Sequence, residues 1–400
     1  MGRRVICVMG RVLDQDDGLG VYSEDLLTEL ARLDPSSRYV ILLRSERKAH
    51  LFDCFDNVQV EVLPAKVKIW WDQVVVPLAA RRVRADILFN PKFSVPLLSG
   101  RPSVFVLQGS DWYANPQNYP WWDNLYNRLM LPTYFRKATR TLAISQCVID
   151  DLVRHAHINA SKATVSYAAP SAHFVPNHDE HALKAFAKRY RLPKRFMLSV
   201  ARAYHTGYGR LPIYPGGNIE GLIQGYRTYR AGGGDLPLVI VGHRIFNYLH
   251  ARGFGEEELR DIVFTGFIPH AEINLIYSLA EFFVLTTLYE SFALLLVEAM
   301  NVGCPVIVSQ TGACPEVAGG AAYLVDPLDP EAIGAAMRHL ESSAFERDRL
   351  RRAGLQRVRT FSWTNTARLT LSTFDAIVPR PHKEMAVSLD DKDAWAPDEP

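Results

Sequence analysis

Two carboxylates eight positions apart, Glu290 and Glu298, are the residues of this chain best placed to do chemistry. Glu298 interrupts an otherwise apolar run, Phe292 to Met300, and a carboxylate there is costly unless something pairs with it. Either it faces solvent from a largely buried helix, or it accepts hydrogen bonds from ligand hydroxyls, as acidic residues do for ribose in dinucleotide sites. Glu290 precedes the run in a polar turn, Thr286 to Ser291. Between the two carboxylates lie Ser291, Phe292, Ala293 and Leu294, whose amides open the helix. Free amides at a helix N-terminus suit a phosphate; Ser291 could equally be a simple N-cap. The residues alone describe a site for a ligand with phosphate and hydroxyl groups.

The elements that must hold this site are legible around it. Phe282 to Leu285 reads as a short buried strand, Gly303-Cys304-Pro305 breaks the helix, and Val306 to Val308 begins the next strand. That is a β-loop-α-turn-β unit of a parallel sheet covered by helices, in which ligands sit at the carboxyl ends of strands. Strands and helices alternate along most of the chain, which predicts two doubly wound parallel-sheet (Rossmann-like) α/β domains. The expected boundaries are 1–172, 173–360, a closing helix within 361–378, and a charged, Pro-bearing tail over 379–400 that is expected to be disordered.

In the first half, Val5 to Met9 reads as a strand, Gly10 to Gly20 as a loop, and Val21 to Leu33 as an amphipathic helix. Gly18 and Gly20 would let a ligand approach the backbone. Asp14, Asp16 and Asp17 share that loop, but their spacing fits no standard calcium loop, so no metal is expected. Lys66 to Ala80, with Trp70, Trp71 and a basic end, could lie on an anionic membrane surface. A core-packed helix with a solvated end is the preferred expectation. The strand Val104 to Leu107 delivers Gln108, Gly109, Ser110, Asp111 and Trp112. An aromatic stretch follows to Trp122, and its rings could stack on an acceptor sugar.

The run Glu290-x7-Glu298, with Ser291-Phe292-Ala293-Leu294 inside and Gly303-Cys304-Pro305-Val306-Ile307-Val308 after it, resembles the signature of glycosyltransferase family 4. So do Thr311 to Val317 and Asp326 to Ile333. The resemblance spans Val5 to Val378 and implies a GT-B fold, two such domains facing across a cleft. It also implies retaining transfer of a sugar from a nucleotide diphosphate, UDP- or GDP-linked, without a further cofactor or a metal. By this resemblance Glu298 holds the ribose and Glu290 the transferred sugar. Gly18, Gly20 and the amides of Phe292 to Leu294 face the diphosphate, and Gly266 and Phe267 read the base. Arg202 and Arg210 neutralise the phosphates, and Asp111 and Trp112 lie on the acceptor side. Three departures matter. Glycines of the family pattern are replaced at Ser291 and Ala293, Gln108 stands where a His is usual, and Gly217 stands where a Lys is usual. Gln108 can hydrogen-bond a sugar but cannot titrate.

Composition bounds these readings. The 400 residues are 48% hydrophobic and 22% charged, as in a globular chain of two ordinary domains. The net charge of +2 is too small to argue for a nucleic-acid partner, and none is expected. Five scattered cysteines read as reduced thiols, Cys7 and Cys304 in the core, which fits a cytoplasmic setting. Expected partners are a nucleotide sugar and a carbohydrate or lipid-linked acceptor, with a peripheral contact to the cytoplasmic face of a membrane left open. A catalytically weak or inactive GT-B binding partner stays open because of Gly217 and Gln108. A glycoside hydrolase ranks last, since its paired carboxylates need no helix N-terminus between them.

Overall fold

The computed structural model describes residues 3–15, 18–201 and 215–380. Two parallel sheets organise it. The first contains β1 (Val5–Met9), β2 (Arg38–Leu43), β3 (Val58–Val62), β4 (Ile87–Asn90), β5 (Ser103–Leu107), β6 (Arg140–Ala143) and β7 (Ala163–Val165), in the order β3-β2-β1-β4-β5-β6-β7. The second contains β8 (Met197–Val200), β9 (Leu238–Val241), β10 (Ile262–Gly266), β11 (Phe282–Leu285), β12 (Val306–Ser309) and β13 (Tyr323–Val325), in the order β10-β9-β8-β11-β12-β13. The central strands are mostly apolar because helices cover both faces of each sheet; β4, β5, β9, β11 and β12 are buried at every residue.

Strand order reverses between β1 and β4 in the first sheet and between β8 and β11 in the second. At such switch points the loops leave in opposite directions and open a crevice at the carboxyl edge. Among the described residues the segments there are Gly10–Asp14 after β1, Pro91–Lys92 after β4 and Thr286–Ala293 after β11. Topology alone therefore collects most of the chemically interesting residues onto two edges.

The last helix, Trp363–Ile377, packs on the first domain's helix Gly18–Leu33. Trp363 meets Tyr22 edge-on at 5.2 Å, and Thr364 Oγ1 donates to Glu29 Oε1 at 2.5 Å. Arg4, fully buried, pairs with Asp34 at 3.0 Å and with Asp375 of that helix at 2.6 Å. A buried guanidinium is tolerated only with such partners.

Several element bounds differ from the sequence expectation. The first helix begins at Gly18, so Gly18 and Gly20 form its opening turn rather than a loop. A β-carbon at Gly20 would lie 1.9 Å from the Gln15 carbonyl oxygen, so the chain turns into the helix through a space that only glycine leaves. The segment expected as a core-packed helix with a solvated basic end is helical without a break through Lys68–Trp70, Trp71–Val75 and Val76–Arg82, the middle stretch being a wider π-type turn, and its basic end at Arg81 and Arg82 is exposed. Trp71, Val76, Ala79 and Ala80 are buried, whereas Val67, Ile69, Trp70 and Leu78 are exposed. Cys7 and Cys304 are buried, and burial pushes both thiols up to about 12. No helix among the described residues is long and apolar enough to cross a membrane.

Candidate functional site

The site is built on the loop and helix after β11. The helix runs Leu294–Val302, two residues later than its apolar pattern suggests. The reason is Ala293, which sits in the left-handed region (φ 60°, ψ 58°) at the N-cap. A side chain there costs about 1 kcal/mol relative to glycine. No side chain caps this N-terminus, which leaves its opening amides to a ligand or to water. Glu298 lies on the inner face of the helix and is only 1% exposed, which removes the solvent-facing reading. His270 Nε2 stands 3.5 Å from Glu298 Oε1. The His270 ring packs against His173 at 4.9 Å and Phe174 at 5.0 Å, so the carboxylate is approached through a ring held by the interdomain segment.

Glu290 is fixed through its backbone. Its carbonyl accepts from Ala313 N at 2.8 Å, and Gly312 packs flat against it. A β-carbon at Gly312 would meet the Glu290 carbonyl oxygen at 2.6 Å and its amide nitrogen at 2.8 Å. Next to it, Tyr289 donates its hydroxyl to Asp151 Oδ2 of the first domain at 2.5 Å. Ser110 Oγ donates to the same oxygen at 2.9 Å and lies 2.6 Å from the Tyr289 hydroxyl. Burial, with the neighbouring Cys147 and Asp151, pushes the Tyr289 hydroxyl far above its ordinary range, so it stays a proton donor.

The facing domain contributes the loop after β5. A β-carbon on Gly109 would lie 3.1 Å from Ser291 Oγ, and Ser145 Oγ donates to the Ser291 carbonyl at 2.6 Å. Glu316 reaches across to the helix Gln146–Ala156 and accepts from the amides of Gln146 at 2.7 Å and Cys147 at 2.9 Å. Gln108 is buried and donates to the Pro91 carbonyl. Asp111 accepts from Asn115 Nδ2 at 2.6 Å and Tyr119 hydroxyl at 2.8 Å. Trp112 is buried and tilted on Phe93 at 5.0 Å. It belongs to the wall of the crevice and offers no open face for a sugar, which corrects the stacking expectation at this residue.

The structure thus brings the loop that carries Gln108, Asp111 and Trp112 against the loop that carries Glu290, Ser291, Phe292, Ala293 and Leu294, through Gly109 on Ser291 and Ser110 on Tyr289, while Glu298 lies farther along the helix beside His270. Gly18 and Gly20 open the helix after β1. Gly266 ends β10 with φ 74°, and Phe267 beside it is exposed. Arg202 and Arg210 lie outside the described residues, as do Asp16 and Asp17. Among the described residues no three His, Cys, Asp or Glu side chains are grouped to hold a metal. Sequence reading missed Tyr289, Asp151, Glu316 and His270, whose placement depends on how the domains dock.

Gly217 closes the turn Pro215–Gly217, and the Gly216 carbonyl accepts from Leu288 N at 2.7 Å and Thr287 Oγ1 at 2.8 Å. A β-carbon at Gly217 would meet nothing within 4 Å. Gly217→Lys is therefore expected to fold normally and to tighten nucleoside-diphosphate binding roughly tenfold, the scale of one hydrogen bond to a charged group. Calorimetric titration of both forms checks it, and unchanged affinity would place residue 217 away from the phosphates.

Comparison with known proteins agrees with this architecture. Residues 208–357 match the family model described as glycosyl transferases group 1, which covers less than half of the chain. The chain is 28% identical over 257 residues to the serotype-specific mannosyltransferase WbdA of Escherichia coli, spanning 61% of this chain but 29% of that protein. It is 26% identical over 303 residues to the O-antigen chain mannosyltransferase B of Escherichia coli, spanning 74% and 76%. The chain thus covers less than a third of the first of these relatives and about three quarters of the second. Among solved structures, Anabaena Alr3699/HepE in complex with UDP and glucose superposes with a TM-score of 0.70, at 15% identity, over 94% of this chain and all of that one. The chain has the GT-B fold.

Proposed function

We propose that the protein is a retaining glycosyltransferase of the family 4 type that moves a hexosyl group, mannosyl in the first instance, from a nucleoside-diphosphate donor to a hydroxyl acceptor in polysaccharide or glycolipid assembly. The observation that carries the reading is the arrangement at Glu290 and Glu298. At the carboxyl edge of β11, Glu290 precedes a helix N-terminus with no side-chain cap, Glu298 is buried in the second turn of that helix, and Ser291 between them lies against Gly109 of the other domain. The two mannosyltransferase relatives motivate the sugar and the polysaccharide setting.

In this mechanism Glu298 binds the ribose hydroxyls, and Glu290 accepts hydrogen bonds from the transferred sugar. The amides at Ala293 and Leu294 stabilise the leaving diphosphate, which is the main catalytic contribution available to such a site. The bond from the anomeric carbon to the diphosphate oxygen breaks, and the acceptor oxygen bonds to that carbon on the same face. The acceptor proton passes to the departing phosphate oxygen. Gln108, buried and without titratable character, orients hydroxyls and moves no proton. Docking of Gly109 on Ser291 closes the seam against water, which limits hydrolysis.

The test is heat stabilisation by a panel of nucleoside diphosphates, for the wild type and Glu298→Ala. Stabilisation by GDP or UDP at millimolar concentration that disappears in Glu298→Ala is expected. No stabilisation of the wild type by any nucleotide would favour the inactive binding-partner reading.

A further inference from the structure

Three buried polar side chains at the seam have no part in the proposed chemistry. Ser110 follows β5, Asp151 lies in the helix Gln146–Ala156, and Tyr289 belongs to the loop after β11. Asp151 Oδ2 accepts from the Tyr289 hydroxyl at 2.5 Å and from Ser110 Oγ at 2.9 Å, and Cys147 Sγ lies 3.9 Å from the same hydroxyl. Ser110 and Asp151 would satisfy each other without the second domain. Tyr289 is the member that crosses over. A phenol hydroxyl taken out of water needs a partner, and a carboxylate gives it a bond stronger than a neutral acceptor would.

The loop that carries Tyr289 is tied to its own domain mainly through main-chain atoms. Thr287 Oγ1 and Leu288 N both donate to the Gly216 carbonyl, at 2.8 and 2.7 Å. Thr311 Oγ1 donates to the Thr287 carbonyl at 3.1 Å, and Ala313 N donates to that of Glu290 at 2.8 Å. Two further grips come from the first domain. Asp151 and Ser110 take the Tyr289 side chain, and Ser145 Oγ donates to the Ser291 carbonyl at 2.6 Å. Ser145 is itself fixed as the N-cap of the helix that holds Asp151, accepting from Val148 N at 3.2 Å, so both grips issue from one rigid element. They fall on the residues immediately before and after Glu290. A contact that only joined the domains could fall anywhere along the seam. Two that bracket one residue set how the chain enters and leaves it, and so the direction in which its side chain departs from the backbone.

We propose that Asp151 is a positioning residue for the transfer: through the Tyr289 hydroxyl, and with Ser145 on the far side, it sets Glu290 for the sugar only while the two domains are docked. The assignment rests on the glycosyltransferase reading and adds to it a first-domain residue that touches no substrate. An undocked molecule keeps Glu298 and the helix amides for the nucleotide, but its sugar carboxylate is not yet set. Reaction of a bound donor with water is thereby held back until the domains meet.

Turnover of GDP-mannose and UDP-glucose to free sugar without an acceptor, beside heat stabilisation by GDP and UDP, tests it. Tyr289→Phe removes one oxygen and leaves Ser110 on Asp151, so it is expected to fold. Its kcat should fall about tenfold, less than the cost of a full ångström of misplacement, with nucleoside-diphosphate stabilisation as in the wild type. Asp151→Ala should match it. Asp151→Asn, whose amide oxygen still accepts from a hydroxyl, should stay within about threefold of the wild type. Tyr289→Phe and Asp151→Ala together should be no worse than either alone, as for two residues acting through one bond. Full turnover in Tyr289→Phe, loss of its nucleotide stabilisation, or an Asp151→Asn as impaired as Tyr289→Phe would overturn the assignment. Should Asp151→Ala fail to fold, Tyr289→Phe and Asp151→Asn decide alone. The two readings fail differently. A wild type that turns over neither donor removes the glycosyltransferase reading, and this assignment with it, whereas an active wild type with an equally active Tyr289→Phe removes the assignment alone.

Discussion

Glu290→Gln is expected to lower kcat roughly a hundredfold, the usual cost of a misplaced or weakened positioning contact on a reacting group, while heat stabilisation by nucleoside diphosphate stays as in the wild type. In the proposed reading the two carboxylates divide the donor between them: Glu298, buried in its helix, would take the nucleotide end, whereas Glu290 lies ahead of the helix, beside the seam with the first domain. Exchanging its carboxylate for an amide keeps the shape and removes a charged acceptor, whose hydrogen bonds are about twice as strong as neutral ones. Steady-state kinetics with GDP-mannose and UDP-glucose, beside the thermal panel, separate the two roles. Loss of nucleotide stabilisation in Glu290→Gln would show that Glu290 serves ground-state nucleotide binding and would sink this division.

The second large effect belongs to a residue that touches no ligand. Gly312→Ala is expected to cost about 2–3 kcal/mol of unfolding free energy, from the left-handed backbone and the forced shift together. It should also cost activity comparable to Glu290→Gln. Gly312 has φ 57°, and an added methyl would press on both backbone polar atoms of Glu290. Relief requires moving Glu290, which is otherwise pinned by Ala313 N and by its neighbour Tyr289 on Asp151. Gly320→Ala is the internal control. Gly320 also has positive φ (83°), but its added methyl meets nothing within 4 Å. It should lose only about 1 kcal/mol and keep full turnover. Equal activity in the two variants would mean that the position of Glu290 does not depend on Gly312.

The parallel sheets were legible because their inner strands are short apolar runs that nothing but a twice-covered sheet accommodates, as β4, β9 and β11 illustrate. The helix starts were less so, for backbone reasons. Gly18 and Gly20 look like loop residues by propensity, yet Gly20 is inside the helix because only it clears the Gln15 carbonyl. Ala293 looks like a helix former, yet it is held in the left-handed region just outside one. In both cases tertiary packing overrides propensity. The Lys66–Ala80 segment was legible as a core-packed helix with a solvated basic end, but not the opposite fates of its adjacent tryptophans, Trp71 in the core and Trp70 in water, a distinction no composition carries. The contacts of Tyr289 with Asp151 and of Glu316 with Gln146 join residues more than a hundred positions apart, and no local pattern announces them.

The Glu316 contact has a consequence for motion. The amides that open the helix Gln146–Ala156 are satisfied by a carboxylate belonging to the other half of the molecule. Parting the halves therefore frees these two amides, while Ser145 Oγ, in the same domain as the helix, can keep accepting from Val148 N, so that opening of the cleft is read out at Gln146 and Cys147. In hydrogen–deuterium exchange, the Gln146 and Cys147 amides would act as a built-in clock for the cleft, trading their protons at the rate at which the two domains separate.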